Sequence, residues 1–357
     1  MICRSGGDTF AAHFCRDLAA DLCCGWWDRR VWSPALLDGI AVRDLAVRSR
    51  LIGWRTFRRQ HAFRKHNAFL SDYDTAVYSG CDSLAAACPG AGYNLHYCHT
   101  PPRHYYDQYR QLEADDLERL RVPRLGQPPL RLLRSALIDV LRRRYETAIQ
   151  RMDRVVANSE TVARRLRHYL GVDAAVVHPP CDTAAFAWRG QEDFYLSTAR
   201  HEPLKRIDAI IAAFRRMPDR RLVVASVGSQ TKTLRRQAAG AANICFVGCV
   251  DDAKLQDLIG LCTATIYVPV DEDFGISPVE SMAAGKPVIG AREGGLLETM
   301  VDGETGLLID MTRGADAIVD AVLTLDGRRA AGMREPCERR APMFGRKVFR
   351  ERMGALL

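Results

Sequence analysis

Two carboxylates stand close together in the segment Val268 to Gly290, VPVDEDFGISPVESMAAGKPVIG: Glu272 and Glu280, with seven residues between them. Glu272 falls in the loop after an apolar run, Ala264 to Val268, that reads as a strand. It therefore sits at the carboxyl end, where open parallel sheets bind their ligands. The residues that follow spell a helix start, with Ser277 as N-cap, Pro278 at the first helical position and Glu280 three residues past the cap. Gly285 closes the helix. A start of this kind offers free backbone N–H groups, around Gly275, Ile276 and Ser277, and the positive end of a helix dipole next to a loop carboxylate. That arrangement suits a diphosphate beside a reacting sugar. The same residues admit plainer readings, with Glu280 as the acid of an ordinary capping box and Glu272 as a surface loop acid.

The elements that would position these groups form an alternating series. In the later half, apolar runs at Phe194 to Thr198, Arg221 to Val227, Ile244 to Val247, Ala264 to Val268 and Pro287 to Ile289 read as strands. Helical patterns separate them at Ile207 to Met217, Thr231 to Ala239, Lys254 to Leu261 and Val279 to Ala284. Strands alternating with helices of this length imply a parallel sheet covered on both faces. The earlier half is less regular. Thr75 to Ser79, Tyr93 to His99, Arg154 to Asn158 and Ala174 to Val177 read as strands, and a helix opens at Ser159-Glu160-Thr161 and runs to about Leu170. Between Leu112 and Arg154 lies a long helical region broken at Pro123 and Pro128-Pro129. Within it, Arg131 to Arg144 is a basic amphipathic stretch that fits either an anionic membrane surface or a core helix with its leucines inward. Near the N-terminus, Phe10, Phe14, Leu18 and Leu22 recur at helical spacing.

Size and composition bound the reading. A chain of 357 residues is too long for one open-sheet domain, and 47% hydrophobic with 26% charged residues fits a globular protein with a sizeable core. The proline pair Pro179-Pro180 and the polar run Arg189 to Asp193 mark a linker, so the expected domains are 1–185 and 186–338, with 339–357 as a closing helix. Net charge is +8, from 51 Lys plus Arg against 43 Asp plus Glu, which favours acidic partners. Nucleic acid is not among them, because the basic residues are spread without aromatic interleaving or a recognisable module. Twelve cysteines without a C-x-x-C read as reduced, mostly buried thiols of a cytosolic protein. His96, His99 and His104 lack the spacing and the fourth ligand that a zinc site needs, so no metal is expected. No run reaches the roughly 18 uncharged apolar residues of a membrane-spanning helix.

The pair Glu272 and Glu280, inside E-D-F-G-I-S-P-V-E-S-M-A-A-G-K-P-V-I, resembles the signature of the retaining glycosyltransferases of family four. Further matches follow in the family's order: Val156-Ala157-Asn158-Ser159, Val177-His178-Pro179-Pro180, Ser197-Thr198-Ala199-Arg200 with Lys205 and Asp208, Gly294-Gly295 with Glu298, and Asp302-Gly303-Glu304-Thr305-Gly306-Leu307-Leu308. The resemblance runs from about Tyr93 to the C-terminus. Tyr97 to Arg103 with Asp107 is similar to a subgroup of polysaccharide-building enzymes, often mannosyltransferases.

That resemblance implies a GT-B fold, two Rossmann-like doubly wound domains with parallel sheets facing across a cleft, here with the first strand of the N-terminal domain missing. It implies a hexose, with mannose from GDP-mannose favoured, carried from a nucleotide-sugar donor to a glycan or lipid-linked acceptor with retention of configuration. Arg200 and Lys205 match the positions that neutralise the donor diphosphate, a task fixed cations perform without a metal or other cofactor. Glu280 matches the position that holds the ribose hydroxyls, and Glu272 the one beside the transferred sugar, as nucleophile or as orienting group. His99 matches the cleft histidine, and Gly6 and Gly7 match the glycine loop near donor phosphate and acceptor. Arg339 to Met353 resembles the closing helix that packs back on the first domain, with Phe344, Phe349 and Met353 as its apolar face. The implied location is cytoplasmic, with peripheral contact at the inner face of the membrane. Two other readings remain on the same fold: a catalytically weak, membrane-associated scaffold, and a sugar-nucleotide epimerase or phosphorylase.

Overall fold

A computed structural model describes residues 6–26, 38–48, 52–87, 92–106 and 128–357. Asp107 and the stretch 112–127 lie outside the described residues, as do residues 1–5, where a first strand would have to precede Gly6. Helix α1 (Gly6–Asp17) comes first, and the chain then divides into two compact units. The earlier unit runs from Ala19 to Val177 and also takes Leu357; the later one joins the residues up to Leu18 with His178–Leu356.

In the earlier unit β1 (Leu22–Cys24) pairs in parallel with β2 (Val42–Asp44), followed by α2 (Ile52–Lys65). A four-stranded parallel sheet then forms from β3 (Thr75–Ser79), β4 (Tyr93–Cys98), β5 (Arg154–Ala157) and β6 (Ala175–Val176), in that spatial order. Helix α3 (Pro128–Ile149) connects β4 to β5, and α4 (Glu160–Leu170) connects β5 to β6. The Ser159 hydroxyl accepts from the Val162 N–H at 3.0 Å and caps α4 where the polar triplet at 159–161 predicts a helix start. Leu141, Tyr145 and Ile149 of α3 and Val162 and Leu166 of α4 pack into one core with Val155 and Ala157.

The later unit carries six parallel strands: β7 (Tyr195–Ser197), β8 (Leu222–Ala225), β9 (Ile244–Gly248), β10 (Ala264–Tyr267), β11 (Val288–Ala291) and β12 (Gly306–Ile309). Their spatial order is β12-β11-β10-β7-β8-β9, the doubly wound order with its reversal between β7 and β10. LVVA, ATIY and VIGA are buried at every position, as apolar runs must be when helices cover both faces. Helices α5 (Ile207–Phe214), α6 (Thr231–Gln237), α7 (Asp252–Leu261), α8 (Ile276–Ala283), α9 (Leu296–Thr299) and α10 (Ala315–Thr324) supply that cover. In α5, Ile207, Ile210, Ile211 and Phe214 fall on one stripe and are all fully buried.

The boundary at Val177/His178 precedes the expected one at 185, and contacts explain it. The His178 ring stacks on Phe274 at 5.2 Å, and the Cys181 N–H donates to the Phe344 carbonyl at 3.0 Å. Both residues are thereby tied to the later unit. The closing helix (Arg346–Gly354) buries Phe349 and Met353 as expected, and Phe349 meets Phe10 at 5.8 Å and Phe14 at 6.0 Å. It therefore packs on α1, a helix expected in the N-terminal domain that clusters with the later unit instead. Among the described residues nine cysteines are free thiols, five of them buried, while Cys249 is disulfide-bonded, against the expectation of thiols throughout.

Candidate active site

Strands β7 and β10 are neighbours, with Tyr195 opposite Ala264 and Leu196 opposite Thr265, and they flank the point where the strand order reverses. Ligands of doubly wound sheets bind outside the carboxyl ends at that point. Arg200 and Lys205 follow β7, and Glu272 follows β10. The two loops are fastened together. Val270 N–H donates to the Leu204 carbonyl at 2.8 Å, and Arg206 reaches the carbonyls of Val268 and Pro269 at 3.4 and 3.3 Å. Arg206 also pairs with Glu293, whose other oxygen accepts from the Asp271 N–H at 3.2 Å.

At the centre stands Tyr267, the last residue of β10 and only 7% exposed. Lys205 Nζ donates to its hydroxyl at 2.9 Å and forms an ion pair with Glu272. Burial pushes the Tyr267 phenol well above its ordinary range, and the negative charge of Glu272 and the hydrogen bond to it push further. Arg200 pulls it down and Glu280 raises it. Lys205 and Glu272 thus meet at this hydroxyl, and the charges of Arg200 and Glu280 act on it as well. Tyr267 was not singled out in the sequence, although a tyrosine closing a fully buried strand needs a partner for its hydroxyl and so points to polar company.

The Glu272 loop is threaded past two glycines. The Gly295 N–H donates to the Glu272 carbonyl at 2.7 Å. A Cβ on Gly294 would lie 2.3 Å from that carbonyl oxygen, and one on Gly295 would lie 2.5 Å from the Asp273 carbonyl oxygen. The Gly294-Gly295 pair is therefore the prop that lets the carboxylate loop fold over β11.

Helix α8 begins two residues earlier than expected. Gly275, at φ 90°, is the N-cap and Ile276 the first helical residue, so Ser277 does not cap the helix and Glu280 closes no capping box. The left-handed turn at Gly275 sets this register, which L residues with a Cβ disfavour. The first-turn N–H groups of Ile276 and Ser277 have no acceptor within the helix, and Pro278 contributes none. Released from capping, the half-buried Glu280 carboxyl is pushed up to about 7 by burial first and by Asp252 second. Among the described residues no cation pairs with it, and none of the described acids pairs with the exposed guanidinium of Arg200.

The remaining expected residues stand elsewhere. His99 follows β4 in the earlier unit, with Nε2 2.9 Å from the Ser79 hydroxyl oxygen and its ring 5.2 Å from Tyr97. Burial, then the neighbouring His96, pushes its pKa down to about 4, so the imidazole is neutral near pH 7. Gly6 and Gly7 form the first turn of α1, not a separate loop. His96 and His104 join no group of three or more His, Cys, Asp or Glu side chains placed to hold a metal among the described residues. His178, by contrast, gains a partner in Glu298, Nε2 to Oε2 at 3.5 Å, so two of the sequence matches meet.

A six-stranded unit in this strand order is of the doubly wound class, whose ligands bind outside the carboxyl ends at the reversal point. Residues 182–336 match the family model described as Glycosyl transferases group 1. Over 69 residues, 19% of this chain and 16% of the relative, it is 46% identical to the Alpha-1,3/1,6-mannosyltransferase ALG2 of Dictyostelium discoideum. Over 222 residues, 52% of this chain and 58% of the relative, it is 32% identical to the GDP-mannose-dependent alpha-(1-6)-phosphatidylinositol monomannoside mannosyltransferase of Mycolicibacterium smegmatis. The chain thus matches little more than half the length of these curated relatives, or less. In fold it is similar to Anabaena Alr3699/HepE, solved in complex with UDP, at a TM-score of 0.75 and 15% identity over 99% of this chain and 96% of that one. The fold is GT-B.

Proposed function

We propose that the protein is a glycosyltransferase that moves a hexose, mannose from GDP-mannose being favoured, onto a glycan or lipid-linked acceptor in surface polysaccharide synthesis. The observation that carries the reading is the cluster of Arg200, Lys205, Glu272 and Glu280 around the Tyr267 hydroxyl, at the carboxyl ends of the strands flanking the reversal. A departing nucleoside diphosphate gathers negative charge, and cations held in place beforehand stabilise it with little reorganisation. Among the described residues no acid pairs with Arg200, and the first-turn N–H groups of α8 add donors for the same phosphates. Glu280 accepts from sugar hydroxyls, as a carboxylate with two acceptor oxygens does. Glu272, positioned by Lys205 and by the Gly295 N–H, stands beside the transferred sugar. In this reading the reaction retains configuration, needs no metal, and takes place at the cytoplasmic face of a membrane with peripheral contact to anionic lipid.

The names of the mannosyl-transferring relatives support the choice of sugar. Among the described residues no helix is long and apolar enough to cross a membrane. Two measurements test the proposal. Titration with UDP, GDP and ADP should show one tight binder, and GDP is expected. NMR of the product should show the donor's anomeric configuration. An inverted product would overturn the retaining mechanism, and no nucleotide binding at all would overturn the enzyme reading.

A further inference from the structure

The earlier unit holds a cavity of about 560 Å³ among α2, the short turn Ser83–Ala86 and α3. Four guanidinium groups line it, those of Arg64, Arg143, Arg144 and Arg151, and no Asp or Glu does. The acids nearest in sequence are already engaged. Arg142 pairs with both Asp139, at 3.1 Å, and Glu146, at 3.8 Å, and Arg59 pairs with Asp82 at 3.5 Å. Among the described residues no carboxylate is left for the four cations on the cavity wall. Like charges gathered around one concavity repel and focus a positive potential into it, so the arrangement costs stability unless an anion enters. Apolar side chains complete the lining, the buried Leu84 and Tyr145 and Val140, which is 46% exposed.

We infer that this cavity is a binding site for a phosphoryl anion. Guanidinium forks match phosphate oxygens two at a time, and several of them converging from two elements suit a doubly charged group better than a single carboxylate. The apolar part of the lining admits a phosphate joined to a hydrocarbon or ring. The phosphate comes either from a lipid headgroup or from a free compound, and both present the same oxygens. The site lies wholly in the earlier unit and stands independently of the glycosyl-transfer reading.

The test compares three full-length proteins: the wild type, Arg64→Gln/Arg143→Gln, and Arg154→Gln/Arg352→Gln, which removes the same charge at exposed positions away from the cavity. Each is titrated calorimetrically with inorganic pyrophosphate and floated with phosphatidylcholine vesicles, with and without phosphatidylglycerol. Pyrophosphate binding at Arg200 and Lys205 is common to all three and cancels in the comparison. All the replaced side chains are exposed, so the core stays intact, and a thermal melt checks this. Loss of about tenfold or more in affinity is expected for the cavity variant, with the control within about twofold of wild type. Loss confined to pyrophosphate identifies a free phosphate compound, and loss confined to phosphatidylglycerol vesicles identifies a lipid headgroup. Equal loss in both variants, or a cavity variant that binds both probes like the wild type, overturns the assignment.

Discussion

The two units use the same ingredients, parallel strands crossed over by helices, to different ends. The later sheet has six strands in doubly wound order, and β7, β8, β10 and β11 are buried at every position. The earlier sheet has four, and β3 exposes part of nearly every residue. The difference shows in where charge is kept. In the later unit Lys205, Glu272, Arg206 and Glu293 are paired on loops that rise from the buried strands. In the earlier unit Arg64, Arg143, Arg144 and Arg151 line a cavity without a carboxylate partner among the described residues. A rigid sheet edge can hold opposed charges within hydrogen-bond distance and so do chemistry, whereas a helical face with one sign of charge can only attract.

Removing one charge from the paired cluster breaks this contrast most severely. Lys205→Ala and Glu272→Ala should each lower turnover by about 10²- to 10³-fold, the range found when one preorganised stabilising group is removed. Arg143→Gln in the earlier unit should leave turnover on a soluble acceptor within about twofold, because that side chain lines the earlier unit's cavity while the cluster is built from the later unit's residues. Steady-state rates on folded protein decide it. A loss of rate at Arg143 comparable to that at Lys205 would erase the functional distinction between the units.

What the sequence shows follows the same division. In the later unit every apolar run read as a strand is one, because strands covered on both faces must be continuously apolar and cannot hide. β12 was read only as a motif, since Gly306-Leu307-Leu308-Ile309 is short and opens on a glycine. In the earlier unit β1, β2 and α2 escaped notice, the two strands because three half-exposed residues carry no periodicity. Of the site, Glu272 and Glu280 were legible from type and spacing, and Arg200 and Lys205 only through the family resemblance. The hub Tyr267 and the Arg206–Glu293 clasp were not, because each depends on which loop lies beside which. The capping box was misread because Ser277-Pro278 spells a start that the left-handed Gly275 pre-empts by two residues.

The glycines of the later unit sharpen the comparison at the level of stability. Gly306 has φ 147°, and a Cβ there would lie 1.9 Å from the Val288 carbonyl oxygen in the neighbouring strand. Gly303, three residues earlier at φ 80°, would carry a Cβ into open space. Gly306→Ala should therefore cost more than about 2 kcal/mol by forcing β12 away from β11, whereas Gly303→Ala costs only the left-handed strain of about 1–2 kcal/mol. Urea unfolding of the two variants measures the difference. Equal costs would mean that the register of β12 against β11 is not what Gly306 protects.

The smallest effect separates the units by the sign of their response to pH. In the earlier unit burial lowers the pKa of His96, fully enclosed with Nδ1 2.9 Å from the Tyr78 carbonyl oxygen, from 6.5 to about 4. The unfolded chain therefore binds a proton between those values that the fold refuses, and stability falls as pH drops from 6.5 toward 4. In the later unit burial raises the Glu280 carboxyl from 4.5 to about 7. There the fold keeps a proton that the unfolded chain has released, and stability falls as pH rises through that window. Each effect is worth about 1–3 kcal/mol once partial solvent access is allowed for. The two windows overlap, so thermal melts at stepped pH, read relative to the wild type, should show His96→Gln gaining stability as pH falls from 6.5 toward 4 and Glu280→Gln gaining it as pH rises from 4.5 toward 7. Should both variants gain relative to the wild type in the same direction of pH, the opposite titration of the two groups is wrong, and with it the view that Glu280 is held as a protonated carboxyl below about pH 7.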